Sequence, residues 1–132
     1  NANVVNNTYS IPDWQSNSSR WFAVLSVPAL TAENINSAAV QVYVGTTANS
    51  WLAIPATVES STNYFWGFVT TIGQIEAQWV YNGFGIGDDP NELYGTTVQI
   101  KVVVIPPVEA AKHPDVDLAD YEEVKQVYGL TD

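Results

Sequence analysis

Gln74-Ile75-Glu76-Ala77-Gln78-Trp79-Val80-Tyr81 alternates in character along its length. Ile75, Ala77, Trp79 and Tyr81 fall on one side of an extended chain and Gln74, Glu76 and Gln78 on the other, the pattern of a strand with one wet face. A helix would scatter the same residues around its axis. Just before it, Tyr64 to Thr71 is rich in aromatic and β-branched residues, and Gly73 supplies a turn. Tyr64–Thr71 and Ile72–Tyr81 are therefore expected to form a β-hairpin.

Strand signals continue in both directions. Toward the C-terminus, Asn82 to Gly95 is a long, glycine-rich, acidic loop, and Val98 to Ile105 is the clearest strand, with Gln99 and Lys101 outward and Pro106-Pro107 as its stop. Toward the N-terminus, Val40–Val44 and Trp51–Ile54 suggest a second hairpin around the loop Gly45 to Ser50, with Pro55 ending it. Trp21 to Val27 has apolar residues on both faces, which predicts cover on both sides, and Val4 to Ile11 is the first strand. Gln15 to Ser19 is expected to be a loop. Between Pro28 and Ala39, Thr31 can cap one or two helical turns.

The end of the chain changes period. After a linker, Val108 to Val116, the residues Leu118, Tyr121, Val124 and Tyr128 form one apolar stripe with Val127 beside it, so Asp117 to Tyr128 is expected to be a helix with Asp117 at its N-cap. About seven strands without alternating long helices argue against a Rossmann-type fold. The fold class expected is mainly β: an antiparallel β-sandwich of about seven strands, with a short early helix and a C-terminal helix packed on it. A single domain over residues 1–132 is expected, with strands in 1–107.

Composition narrows function by exclusion. Four basic and 14 acidic residues give a formal charge of -10, which repels nucleic acid and anionic lipid. The charge is lopsided, with ten acids and three bases from Asp88 to Asp132 against four acids and one base before them. Absence of cysteine removes disulfides, thiolate metal sites and cysteine nucleophiles. Hydrophobic residues make up 46% with a mean hydropathy of -0.01, and no apolar run is long enough to span a bilayer. Low lysine with abundant Asn, Ser and Thr favours export. A start at Asn1 without methionine suggests a removed upstream segment.

Four stretches together carry a family likeness: NANVV at Asn1 to Val5, RWFAVLSVP at Arg20 to Pro28, IKVVVIP at Ile100 to Pro106 and DVDLADYEEVKQVYGL at Asp115 to Leu130. With these the chain resembles small Bacteroidetes cell-envelope lipoproteins, in which a lipobox cysteine and a collagen-like Gly-X-Y run precede a β-rich domain. The resemblance implies an exported domain on the bacterial cell envelope, periplasmic or at the outer-membrane surface, lipid-anchored in the full-length protein. It implies no activity and no site residues. This sequence holds neither the cysteine nor the Gly-X-Y run, so any membrane contact would pass through an anchor outside it.

Catalytic chemistry finds little to work with. The single histidine, His113, sits in the linker beside Pro114, where a solvated role is the simpler account, and neither a G-x-S-x-G elbow nor an H-E-x-x-H helix is present. For a glycan hydrolase Glu76 is the candidate acid, with Glu59 or Asp13 as partner; a solvated strand glutamate is the plainer reading. Gly83-Phe84-Gly85-Ile86-Gly87 is followed by no lysine and no expected helix, which argues against a phosphate loop. Asp88, Asp89, Asn91 and Glu92 offer calcium ligands but lack the spacing of an EF-hand loop, and turn formation explains them equally. Helix capping accounts for Asp117 and Asp120, with Asp115 nearby.

Five tryptophans, Trp14, Trp21, Trp51, Trp66 and Trp79, pose the sharper question. They either fill the core, the expectation for Trp21, Trp66 and Trp79, or stack on sugars. Trp51 is the best candidate for an exposed ring, and Trp51, Asn49, Trp79 and Tyr81 are the candidate ligand-binding residues. The leading expectation is a non-enzymatic exported domain that interacts or assembles with an unknown protein. A carbohydrate-binding module is the alternative and a carboxylate-based glycan hydrolase the second. No catalytic residue, metal site, cofactor or nucleic-acid partner is expected.

Overall fold

A computed structural model of the chain describes residues 3–47, 50–58 and 61–131. Two antiparallel sheets stack in a sandwich-like arrangement. The four-stranded sheet runs β1 (Val5–Ile11), β9 (Val98–Ile105), β4 (Ala39–Thr47), β5 (Ser50–Ile54). The five-stranded sheet runs β2 (Gln15–Ser16), β3 (Trp21–Ser26), β8 (Gln74–Tyr81), β7 (Ser61–Thr71), β6 (Ala56–Val58).

Alternation builds the core between them. Ile75, Ala77 and Trp79 of β8, Ala23 and Leu25 of β3, and Trp66 of β7 point inward to meet Val42, Val44, Ile100, Val102 and Val104 of the other sheet. Gln74, Glu76 and Gln78 take the outer side, as their spacing predicted. The hairpin turn falls at Ile72-Gly73, where Gly73 adopts φ 81°, a left-handed conformation that costs glycine little.

The far side of the four-stranded sheet is covered too. Tyr121, Val124 and Tyr128 of α3 (Tyr121–Tyr128) seal Tyr43, Val103 and Ile105 into a second apolar cluster. The amphipathic stripe thus docks on a sheet, its apolar face satisfied there. Its cap is not Asp117 but Asp120, whose carboxylate accepts from the Glu123 N–H at 3.3 Å. Asp117 stands one turn earlier and accepts from the Ala119 N–H.

Other boundaries shift for definable reasons. Among the described residues nine strands replace about seven, because β2 and β6 have two and three residues, too few to show a period. The presumed loop at Gln15–Ser16 is β2, held by pairing to Phe22 and Trp21. Two short helices lie in stretches expected to be irregular: α1 (Pro90–Tyr94) inside the acidic loop and α2 (Pro107–Lys112) inside the linker. Between Thr31 and Ala38 two separate helical turns form, through Ile35 N–H to Thr31 O and Ala38 N–H to Asn34 O, without joining into a helix.

Two burial expectations are reversed. Lys101 is 1% exposed, because α3 covers the face it points to. Val24 is 48% exposed, because nothing among the described residues covers the outer face of β3.

Asn91 ties the far end of the sandwich together. Its Nδ2 donates to Ile11 O at 2.7 Å and Pro12 O at 3.2 Å, while its Oδ1 accepts from Trp14 Nε1 at 3.1 Å and Val98 N at 2.9 Å. One side chain therefore bridges the end of β1, the start of β9 and an indole packed on Trp66. Asn91→Ala strips these partners together and is expected to cost about 2–4 kcal/mol. Urea unfolding checks this as a lowered midpoint at unchanged slope; a loss well under 1 kcal/mol would mean water replaces the bridge.

Candidate functional site

Trp51 lies in β5 at the edge of the four-stranded sheet and is half-buried. Its ring rests on Gly45 of β4, where an added Cβ would come within 2.8 Å of the indole, so only glycine leaves the space. Tyr121 meets it edge-on with centroids 6.1 Å apart. Lys101 places Nζ 4.7 Å from the Trp51 centroid and 4.9 Å from that of Tyr121, a cation held by two π-faces.

Over this group opens a cleft of about 400 Å³ lined by Ser50, Trp51, Asp117, Asp120, Tyr121 and Glu122. Its wall is acidic and its floor aromatic. Asn49, the neighbour proposed from sequence to share a ligand with Trp51, lies outside the described residues. With Gly45 beneath the ring and the ammonium of Lys101 against it, Trp51 is committed to the fold more than to a stacking platform.

Trp79 is not available to a ligand. It is 0% exposed, sandwiched between Tyr64 at 4.6 Å and Trp66 at 4.4 Å between centroids, and its Nε1 donates to Asp88 O at 3.0 Å. Tyr81 is half-buried, its ring against the backbone of Gly83 and 4.9 Å from Tyr64. The indole of Trp21 likewise donates to Gly87 O, and the Asp88 N–H donates to the Tyr64 hydroxyl. Aromatic polar atoms thus fasten the Gly83–Gly87 loop over the end of the core, which gives the glycine run a structural task.

The acidic candidates are similarly occupied. Asp89 caps α1 by accepting from the Asn91 N–H at 2.8 Å, and Asn91 is the bridge described above. Among the described residues no group of three or more His, Cys, Asp or Glu side chains is placed to hold a metal ion. His113 closes α2, donating its N–H to Ala110 O, and its ring lies nearly perpendicular to that of Tyr128 at 5.2 Å, so it is packed on one side and remains part-exposed. Glu76 accepts from Gln78 Nε2 at 2.8 Å, and its cross-strand neighbours are Val24 and Val69. Asp13 lines a groove between β1 and β3, and Glu59 lies outside the described residues.

What sequence reading missed is the outer face of the five-stranded sheet. Register places Phe22, Gln78 and Gly67 in one row, Val24, Glu76 and Val69 in the next, and Val80 beside Phe65. Val24 and Val69 are each 48% exposed and Phe65 40%, and Phe65 leans over the gap at Gly67. Among the described residues no helix covers this face, whereas α3 covers its counterpart on the other sheet. The polar residues Ser26, Gln74 and Gln78 were the available signal, since register puts them on the same face as Val24, Phe65 and Val69.

Comparison with protein-family models, with curated proteins and with solved structures returns no match to this chain.

Beneath the acidic cleft, Tyr43 is fully buried and donates its hydroxyl to Leu118 O at 2.6 Å. Burial, then the neighbouring charges of Tyr121, Asp120 and Asp117, push its ionisation well above the ordinary tyrosine range. Burial also raises Tyr94 and Tyr128. The fold therefore favours the protonated phenols: this stabilisation is complete below about pH 10 and falls as pH rises beyond it. Alkaline titration is expected to show a late phase of tyrosinate absorbance that coincides with unfolding, and Tyr43→Phe should make stability less steep above that pH. A phase at the ordinary tyrosine pH for all seven tyrosines would contradict the burial.

Proposed function

We propose that this chain is a non-enzymatic binding domain that docks another protein on the outer face of its five-stranded sheet. The observation that carries the reading is the unequal cover of the two sheets. One outer face is sealed by a helix, and the other leaves Val24, Phe65 and Val69 in solvent around a Glu76–Gln78 stripe. Apolar side chains gathered in solvent on one face of a folded domain are a common mark of an interaction site.

Charge favours a partner of a different kind over a second copy. At a net charge of -10 two copies repel, and Glu76 in the centre of the apolar rows suits a partner that brings a cation to it. The sugar reading is weaker, since Trp79 is buried and Trp51 packs between Gly45 and Lys101. A hydrolase reading lacks a second carboxylate in register with Glu76, whose neighbours across the strands are valines. The lysine-poor composition and the envelope-lipoprotein resemblance support placing the domain, by the same proposal, on a bacterial envelope through a lipid anchor outside this sequence.

A photoreactive side chain at Val69 in the full-length protein tests the docking face in its own cells. One discrete protein adduct is expected from position 69 and none from Val108, an exposed site on α2. Equal labelling from both positions, or none from either, overturns the reading. A glycan-array signal that Trp51→Ala abolishes would replace it with carbohydrate binding.

A further inference from the structure

The five-stranded sheet has an unfinished edge. β8 flanks β3 from Trp21 to Ser26, but β2 covers its other side only at Trp21 and Phe22. The cause is the route of the chain: β1 pairs in the opposite sheet, and the chain crosses between sheets through Pro12 and Asp13 before it becomes β2. Among the described residues no strand pairs with Ala23–Ser26 on that side.

A groove of about 390 Å³ runs along the gap, with Tyr9 to Asp13 on one wall and Ala23 to Ser26 on the other. Its floor is apolar, for Ile11, Ala23 and Leu25 are 7%, 7% and 4% exposed. Peptide orientation on β3 follows from one hydrogen bond. Val27 N–H donates to Gly73 O at 2.8 Å, so Val27, Leu25 and Ala23 turn their amide groups to β8, and Val24 and Ser26 turn theirs to the open edge. The Tyr9 hydroxyl donates to Ser26 O at 2.6 Å. The N–H and C=O of Val24 and the N–H of Ser26 face the groove, positioned for a strand.

Most of the sheets' other edges are less inviting: β2 and β6 are short, β6 has a register break against β7, and β5 has one against β4, while β1, which is regular against β9, supplies the opposite wall of the groove. Short and bulged edges resist pairing, whereas a regular, uncharged stretch invites it. Asp13 is the single charged residue lining the groove, and the chain as a whole is strongly acidic.

We propose that this groove takes an extended segment of a partner protein, added as a strand beside Val24 and Ser26. Small apolar side chains of that segment rest on Ile11, Ala23 and Leu25, and a lysine or arginine beside them meets Asp13. The free edge of four residues spans about 13 Å, so the inserted strand is short. This rests on the protein-docking reading and specifies a main-chain mode for it, at the margin of the same sheet.

The probe is the peptide acetyl-Lys-Val-Thr-Val-Thr-Val-Lys-amide, titrated into the ¹⁵N-labelled domain. Amide shifts and slowed exchange are expected at Val24 and Ser26, with a shift at Tyr9. A counterpart methylated on alternate peptide nitrogens, and one with glutamates in place of lysines, should each bind about tenfold more weakly, the scale of one or two hydrogen bonds or an ion pair. Val24→Pro removes an edge N–H that the β8 ladder does not use and should weaken binding by at least as much. Tyr9→Phe, which releases the Ser26 carbonyl, keeps the test open if the proline variant unfolds: it should bind more tightly. No shift at Val24 and Ser26 at millimolar peptide, or equal binding of the methylated peptide, overturns the proposal. Shifts confined to Phe65, Val69 and Val80 also overturn it while leaving docking on the sheet face intact.

Discussion

Burial of β9 on both of its faces is the constraint around which the molecule is organised. Ile100, Val102 and Val104 pack against the five-stranded sheet, and Lys101, Val103 and Ile105 lie under α3 or beside it. A strand covered on both sides loses the wet face that most antiparallel strands keep. The sheet holding β9 becomes the middle of three layers, and the C-terminal helix is part of the core. The other sheet, with one layer over it, keeps a face and an edge for solvent.

Aromatic richness belongs to that architecture more than to a ligand. Indole N–H groups of Trp14, Trp21 and Trp79 each reach out of the packed interior to a polar atom of the segment 87–91. Tryptophan combines a large apolar body with one donor, so it can fill a core and fasten a loop at once. The glycine-rich loop is thereby a lid on the end of the sandwich. Asn91 performs the same task with a small side chain, joining two strands and an indole.

Much of the fold was legible because period-two burial needs only local sequence. The β7–β8 hairpin and β9 follow from alternation and from their turn residues, and the stripe of α3 follows from its spacing. Strands of two or three residues carry no usable period and helices of fewer than two turns do not repeat theirs, which hid β2, β6, α1 and α2; the prolines at the starts of α1 and α2 were the remaining sign. Whether an outward residue is covered depends on what docks there, a long-range fact that strand spacing does not encode. Hence Lys101 was expected in water and is sealed, and Val24 was expected under cover and is open. The candidate site fared less well for the same reason: Trp51 was expected as an exposed ring and is half-buried, because Lys101 and Tyr121, which pack on it, are distant in sequence.

The close contact of Trp66, Trp79 and Tyr64, with centroids 4.4 and 4.6 Å apart, has an optical consequence. Rings this near couple their electronic transitions, so their excitations are shared and contribute strong circular dichroism of their own in the region used to quantify strands. A spectrum of this domain carries a signature of its interior superimposed on its backbone, and loss of that signature on heating reports the separation of these three side chains.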